Sequence, residues 1–293
     1  MNHRAGYVNI IGKPNAGKST LMNLLIGEKI SIVTAKAQTT RHRILGILND
    51  ENYQLIFSDT PGTLIPKYKL QESMMKFVKT AFDDADVILY LADATDRIPE
   101  KDIFIEKISK TEIPTLVVIN KIDLIVQSEL DKLIETWTGI FPKREIIPVS
   151  AKESIHTEQL LKRLIELLPD SPPYYPKEDV TDKNMRFLFS EIIREKILMT
   201  YRQEIPYSVE VYIESFKEEE KITKISATIY VARESQKGIV IGHQGKALKK
   251  VGTEARLDME KFLDKKVFLE MHVKVKKDWR DDVNILKQFG YEN

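Results

Sequence analysis

Residues 12–19, Gly-Lys-Pro-Asn-Ala-Gly-Lys-Ser, fit the pattern G-x-x-x-x-G-K-[ST]. A loop of this kind suits a phosphate chain: its glycines let successive backbone N–H groups converge on the α- and β-phosphates. A helix beginning at the loop adds partial positive charge. Lys18 can reach the β- and γ-phosphates, and the Ser19 hydroxyl can ligate Mg²⁺. Three further polar clusters follow in order. Asp59 leads Thr60, Pro61 and Gly62, and its carboxylate can hold Mg²⁺, directly or through water, opposite Ser19. Asn120, Lys121, Ile122 and Asp123 form the next cluster. An Asp there can accept two hydrogen bonds, from a ring nitrogen and from an exocyclic amine. Guanine offers that donor pair and adenine does not; a buried site left with unpaired acceptors rejects the wrong base by up to ~10⁴-fold. Ser150, Ala151 and Lys152 close the series, with backbone N–H groups that could meet the guanine carbonyl. Any one tetrapeptide is common, and a lone strand-end Asp is more often a helix cap. Their order and placement carry the signal.

Each cluster falls where a strand should end. The β-branched run Tyr7 to Ile11 precedes the loop, and Leu21, Leu24 and Leu25 follow it at helical spacing. Residues 42–48 and 53–58 read as an antiparallel hairpin turning at 49–51. Apolar runs at 87–91, 115–119 and 145–149 then alternate with helical patterns at about 70–83, 99–110, 127–138 and 155–168. This alternation predicts a mostly parallel, three-layer α/β domain, in which ligands bind at the carboxyl ends of the strands. Residues 33–43 show no apolar period.

Prolines 169, 172, 173 and 176 mark an extended, semi-rigid connector, and its two tyrosines suggest that it packs on something. The chain therefore divides into a first domain over 1–168, a linker over 169–182, a second domain over 183–280 and a tail over 281–293. The tail is read as a packed cap without chemistry. The second domain should begin with an amphipathic helix over 185–200, placing Met185, Leu188, Ile192 and Met199 on one side. Two strands should follow, around Val209–Ile213 and Ile225–Val231, with a polar turn over 216–221. A helix with Leu248, Val251, Ala255, Met259 and Phe262, and a strand over Val267–Val275, complete it. Between two short helices lies Gly242, His243, Gln244, Gly245. This α-β-β-α-α-β order with G-x-x-G resembles a smaller α+β KH domain of the prokaryotic, type II arrangement. The resemblance implies that sugar-phosphate approaches Gly242 and Gly245 while a groove holds about four single-stranded nucleotides. His243, Gln244 and Lys246 can touch phosphate, Lys249 and Lys250 extend a positive rim, and Ile239, Val240 and Ile241 belong to core and groove wall.

Composition limits the alternatives. The 293 residues suffice for two cores, and 42% hydrophobic with 30% charged residues is ordinary for a globular protein. There is no Cys, and the five His residues show no metal-ligand spacing, which argues against a structural zinc site. No apolar run approaches the ~18 residues of a spanning helix. The chain enters its first strand within a few residues, leaving no room for a signal peptide, so the expected location is cytoplasmic. Net charge is +1, yet residues 237–277 hold 11 Lys/Arg against 5 Asp/Glu. Such a local basic patch suits one polyanion contact and not general nucleic-acid coating.

The fragments GKPNAGKS, DTPG, NKID and SAK resemble the motifs of translation-factor-related P-loop GTPases. With Gln38, Thr39, Thr40 and Arg41 between the first two, and with the KH pattern, the whole chain resembles the Era family. That resemblance implies a Mg²⁺-dependent GTPase holding GTP or GDP through Gly12, Lys13, Pro14, Asn15, Ala16, Gly17, Lys18, Ser19 and Thr20. Asp59 to Gly62, Asn120, Lys121, Asp123 and Ser150 to Lys152 complete the set. Thr40 is implied as the switch threonine that senses Mg²⁺ and the γ-phosphate, ahead of Thr39. Ser19, Thr40 and Asp59 would hold the metal; Lys18, Thr40 and Asn15 would act in hydrolysis. Segments 33–43 and 62–70 would reorder with nucleotide state. Thr63 stands where small GTPases carry a water-orienting Gln, and Leu64 and Ile65 follow. Arg41 and Arg43 qualify as arginine fingers only by proximity in sequence, so slow intrinsic hydrolysis is expected. Asn15 stands where related GTPases bind potassium beside the phosphates, and Ala37 departs from a common Pro. The implied partners are the 3′ end of small-subunit ribosomal RNA and the 30S-type subunit, whose maturation it would assist, with no DNA. Peripheral contact with the inner membrane face is also implied, although no convincing basic amphipathic helix supports it. The alternatives are a tRNA-modification or metal-transport GTPase, or an RNA-binding scaffold with a regulatory GTP site. The KH pattern and the lack of spanning helices oppose the first pair; intact Lys18, Ser19 and Asp59 oppose the scaffold.

Overall fold

A computed structural model describes residues 3–98 and 103–291, which group into two compact units. The first comprises residues up to Ser31, Thr40–Ile65 and Met74–Asp182. Its elements are β1 (Arg4–Gly12), α1 (Lys18–Ile26), β2 (Ile44–Asn49), β3 (Tyr53–Asp59), α2 (Lys69–Asp83) and β4 (Val87–Asp93). They continue with α3 (Ile103–Lys110), β5 (Thr115–Asn120), α4 (Gln127–Ile140), β6 (Glu145–Pro148) and α5 (Thr157–Leu167). The helical pattern anticipated from 99 begins at Ile103; residues 99–102 lie outside the described ones.

The six strands run in the order β2-β3-β1-β4-β5-β6, and all neighbours are parallel except the β2–β3 hairpin. Val8, Asn9, Ile10 and Ile11 are all buried, as a strand covered on both faces requires. One cluster joins Ile11, Ile88, Tyr90, Val117 and Ile119 of the sheet to Val78, Ile108, Leu130, Trp137 and Phe141 from α2 to α4 and the residue after α4. The parallel order delivers Gly12, Asp59, Asp93 and Asn120 to the same edge of the sheet.

The proline-rich stretch is a strap laid on this unit. Pro169 O accepts from Ala5 N–H, and Gln54 Oε1 accepts from the N–H groups of Tyr174 and Tyr175. Farther along, Val180 O accepts from Ile47 N–H and Thr181 Oγ1 donates to Leu45 O.

The second unit joins residues 183–291 with two short segments, Ile32–Thr39 and Pro66–Ser73. It contains α6 (Met185–Thr200), α7 (Ile205–Ser208), β7 (Glu210–Glu218), β8 (Ile222–Val231), α8 (Glu234–Ile241), α9 (Lys246–Leu263), β9 (Lys266–Val275) and α10 (Val283–Gln288). In its three-stranded sheet β8 is central, antiparallel to β7 and parallel to β9. Leu188, Phe189, Ile193 and Ile197 of α6 meet Ile225, Ala227 and Ile229 of β8 and Val251, Ala255 and Met259 of α9. Met199 departs from expectation. It is 64% exposed because the buried stripe of α6 runs through Phe189, Ile193 and Ile197. Three other readings need correction: β7 extends to Glu218, shortening the polar turn; α9, with 18 residues, is not short; and Phe262 at its end is half exposed. Among the described residues no helix is long and apolar enough to cross a membrane.

The C-terminal stretch from Trp279 onward is a structural plug. Trp279 is fully buried, donates Nε1–H to Ser208 O at 3.1 Å and packs edge-on against Phe289. Tyr291 donates its hydroxyl to Glu210 Oε2 at 2.7 Å. Trp279→Ala is expected to destabilise this unit by about 3–5 kcal/mol, read as a lowered urea midpoint of its unfolding transition.

Candidate functional site

The phosphate-binding pattern sits in the turn between β1 and α1. Asn15 and Gly17 have positive φ values of 64° and 96°. Gly17 is needed twice over, since a Cβ there would also lie 2.3 Å from Asn120 Nδ2. α1 starts at Lys18 with neither a side-chain cap nor an acidic residue in its first turn, which keeps its N-terminus suited to an anion. The Lys18 ammonium curls over the loop, donating to Gly12 O at 3.0 Å and Lys13 O at 2.8 Å. Burial lowers its pKa to about 8, outweighing the opposing pull of the Asp59 carboxylate.

Three oxygens meet one turn further on. Ser19 Oγ lies 2.7 Å from Asp59 Oδ2 and 2.9 Å from Thr40 Oγ1, which is itself 3.1 Å from Asp59 Oδ2. Asp59 is fully buried, and burial pushes its pKa up against the Ser19, Lys18 and Thr40 contacts that lower it. Its other oxygen, Oδ1, has no hydrogen-bond partner among the described residues. Hydroxyls, a carboxylate and an unpartnered buried oxygen form the hard donor set that suits Mg²⁺. Thr39 is elsewhere: its hydroxyl bonds to Thr34 Oγ1 and Lys36 O. Behind the oxygen cluster Thr60 Oγ1 donates to Ile10 O, and Thr63 N–H donates to Gly12 O.

At the other end of the edge, Asn120 bridges two loops. Its amide donates to Ala16 O at 2.8 Å, and its Oδ1 accepts from Ala151 N–H at 3.0 Å. Asn120 thus ties the phosphate loop to the Ser150 loop. Lys121, at a positive φ of 66°, pairs with Asp93 at 2.5 Å. Burial alone would raise the Asp93 pKa, but Lys121 and Thr95 hold it below its usual range. Asp93 escaped the sequence reading because it shares no motif with Lys121 and meets it only through the β4–β5 pairing. Asp123 Oδ1 accepts from Ser150 Oγ at 2.6 Å, which orients the carboxylate. Lys152 is exposed and pairs with Glu153.

Neither arginine is placed as a finger. Arg43 pairs with Asp84 at 2.5 Å and donates to Ser58 Oγ, and Arg41 is 1% exposed. Leu64 and Ile65 supply no carboxamide, and Ile65 is 86% exposed.

In the second unit, Gly242 and Gly245 have φ values of 72° and 74°, and Gln244 between them is also left-handed at 51°. A Cβ on Gly242 would come within 2.6 Å of Ala247 Cβ, so the turn from α8 into α9 admits no side chain there. His243, Gln244, Lys246, Lys249 and Lys250 are exposed, and Ile239 is half exposed while Val240 is in the core. Beside the turn lies a groove of about 350 Å³ reaching Gly252, Thr253, Arg256 and Met271. Those four were missed, because only the α9–β9 packing brings them alongside the glycines.

The comparisons with known proteins match both halves. Residues 7–121 match the family model described as 50S ribosome-binding GTPase, and residues 204–280 match the KH domain model. The chain is 45% identical over 291 residues to GTPase Era of Clostridium kluyveri, covering 99% of each. A crystal structure of Era with MgGDPNP and nucleotides 1506–1542 of 16S ribosomal RNA superposes with a TM-score of 0.95. It is 40% identical, with 99% of this chain and 100% of that one covered. A variant of Aquifex aeolicus Era bound to GDP and aluminium fluoride gives the same values. The phosphate loop, the strand-end carboxylates and the glycine turn therefore lie in a chain that belongs to the Era family of GTPases.

Proposed function

We propose that this chain is a Mg²⁺-dependent, GTP-hydrolysing switch that acts in the cytoplasm. It binds the 3′ end of small-subunit ribosomal RNA and assists assembly of that subunit. The observation that carries the reading is the Ser19–Thr40–Asp59 oxygen cluster beside Lys18, in a chain that also holds the Gly242–Gly245 turn. The relatives with MgGDPNP, and with a 16S ribosomal RNA fragment, support it.

Each residue then has a physical task. The N–H groups of residues 13–20 face the α- and β-phosphates, and Lys18 exchanges its Gly12 and Lys13 carbonyls for β- and γ-phosphate oxygens. Ser19 and Thr40 would hold Mg²⁺ through their hydroxyls, with Asp59 beside them, direct or through water. When bound, the metal would supply positive charge to offset the negative charge that develops on the phosphates. Asp123, aligned by Ser150, accepts the two guanine donors; Asn120 keeps that pocket and the phosphate loop at a constant separation. With Thr63 unable to orient water as a carboxamide would, and Arg43 committed to Asp84, intrinsic hydrolysis is slow. Asn15, exposed and left-handed in the loop, is the assigned potassium contact. RNA lies along the groove beside Gly242–Gly245, within the basic rim of Lys246, Lys249 and Lys250.

Asp123→Asn removes an acceptor for two charge-assisted hydrogen bonds of about 1.5–3 kcal/mol each, so preference for GTP over ATP should fall about 10²- to 10⁴-fold in competition titrations. Replacing Gly242 and Gly245 by Asp should abolish binding to a single-stranded oligonucleotide of the ribosomal RNA 3′ end while GTP affinity stays unchanged. Lys18 provides a pH test. Its pKa of about 8 rises when phosphates replace carbonyl partners, so GTP binding takes up a proton at pH 8.5 and little at pH 7. Affinity should accordingly fall as pH rises through 8. Calorimetry at pH 8.5 in two buffers of different ionisation enthalpy measures the uptake, which Lys18→Ala should remove.

A further inference from the structure

Within the second unit, the segment Ile32–Thr39 is held on α6 by three side chains of opposite character. Glu195 Oε1 accepts from Val33 N–H at 3.3 Å. Lys36 Nζ donates to Leu198 O and Tyr201 O, carbonyls at the C-terminal end of α6 that the helix itself leaves open. Arg194 Nη2 donates to Thr39 O. That last contact is unusual in its cost, because Arg194 is only 1% exposed and buried guanidinium groups need strong partners. Glu191 provides one, with Oε1 2.7 Å from Nε and Oε2 2.5 Å from Nη2. Burial would lower the Arg194 pKa, yet Glu191 keeps it raised, so the group is a permanent cation.

The next residue after Thr39 is Thr40, whose hydroxyl meets Ser19 and Asp59. A peptide is planar, so fixing the Thr39 carbonyl also fixes the plane of the Thr40 N–H and limits where the Thr40 side chain can point. We infer that Arg194, clamped by Glu191, is a positioning residue for the switch threonine: its hold on the Thr39 carbonyl presents the Thr40 hydroxyl to the metal and γ-phosphate. The inference rests on the role given to Thr40 above. A merely structural Arg194 would satisfy Glu191 and support α6, and would act on every nucleotide state alike. A positioning Arg194 acts only where Thr40 is used, when a γ-phosphate is bound.

The double substitution Glu191→Met with Arg194→Met removes the guanidinium and its partner together. A buried pair exchanged for apolar groups of similar size leaves stability near its starting value. In the full-length protein with Mg²⁺, affinity for a non-hydrolysable GTP analogue should fall about 10- to 100-fold, the size of one charge-assisted hydrogen bond, while GDP affinity stays within about twofold. Equal losses for both nucleotides, or no loss for either, would overturn the inference. If the double variant does not fold, Arg194→Lys carries the same test, since an ammonium cannot span Glu191 and the Thr39 carbonyl in the guanidinium's geometry. Thr40→Ala runs alongside. If it leaves the ratio of GTP to GDP affinity intact, the Thr40 assignment itself is wrong; if it collapses the ratio while the Arg194 variants do not, only the Arg194 inference falls.

Discussion

A buried carboxamide organises the nucleotide edge. Asn120 is 2% exposed and spends both halves of its amide on backbone, a donor to Ala16 O and an acceptor from Ala151 N–H. Left unpaired at that depth, those groups would cost about 1–3 kcal/mol each. Satisfied, they pull three chain segments, from β1–α1, β5 and β6, to one spacing. Gly17 is part of the same constraint, because only a residue without Cβ lets the loop pass the Asn120 amide. Lys121 and Asp93 brace the turn from the other side.

That bracing explains why charged groups of low intrinsic favour can collect at the strand ends. Lys18 and Asp59 are both buried, and burial shifts each toward its neutral form. The rigid edge stores this mismatch until phosphate and Mg²⁺ supply opposite charge, so the site is preorganised for a polyanion with its cation and poorly suited to a neutral ligand. Thr40 joins the cluster from a segment without regular structure, which suits a group that must respond to the γ-phosphate.

The second unit uses the same device, a glycine whose Cβ would clash, at the turn from α8 into α9. Gly242, Gln244 and Gly245 hold left-handed backbone between α8 and α9, and the groove beside them is walled by α9 and β9. The tail, through Trp279 and Tyr291, closes the far end of this unit by burying an indole and a carboxylate–phenol bond.

The amino-acid sequence by itself determined the fold class and most of the chemistry. Phosphate loops, strand-end carboxylates and glycine turns are local, and their residue types are dictated by backbone geometry within a few positions. Hence the loop, strand-end and turn positions of Lys18, Ser19, Asp59, Asp123, Gly242 and Gly245 were legible, as was the alternation of strands and helices. Roles that depend on a partner distant in the chain were not. The hydrogen bond by which Asn120 holds Ala151 had no local signal; Arg43 read as a candidate finger until Asp84 claimed it; Met199 read as core until α6 was packed. Asp93, Arg256 and Arg194 carried no motif at all. Only the tertiary structure decided these, because hydrogen bonding and burial are set by which distant segments the fold brings within 3 Å, and no local spacing encodes that.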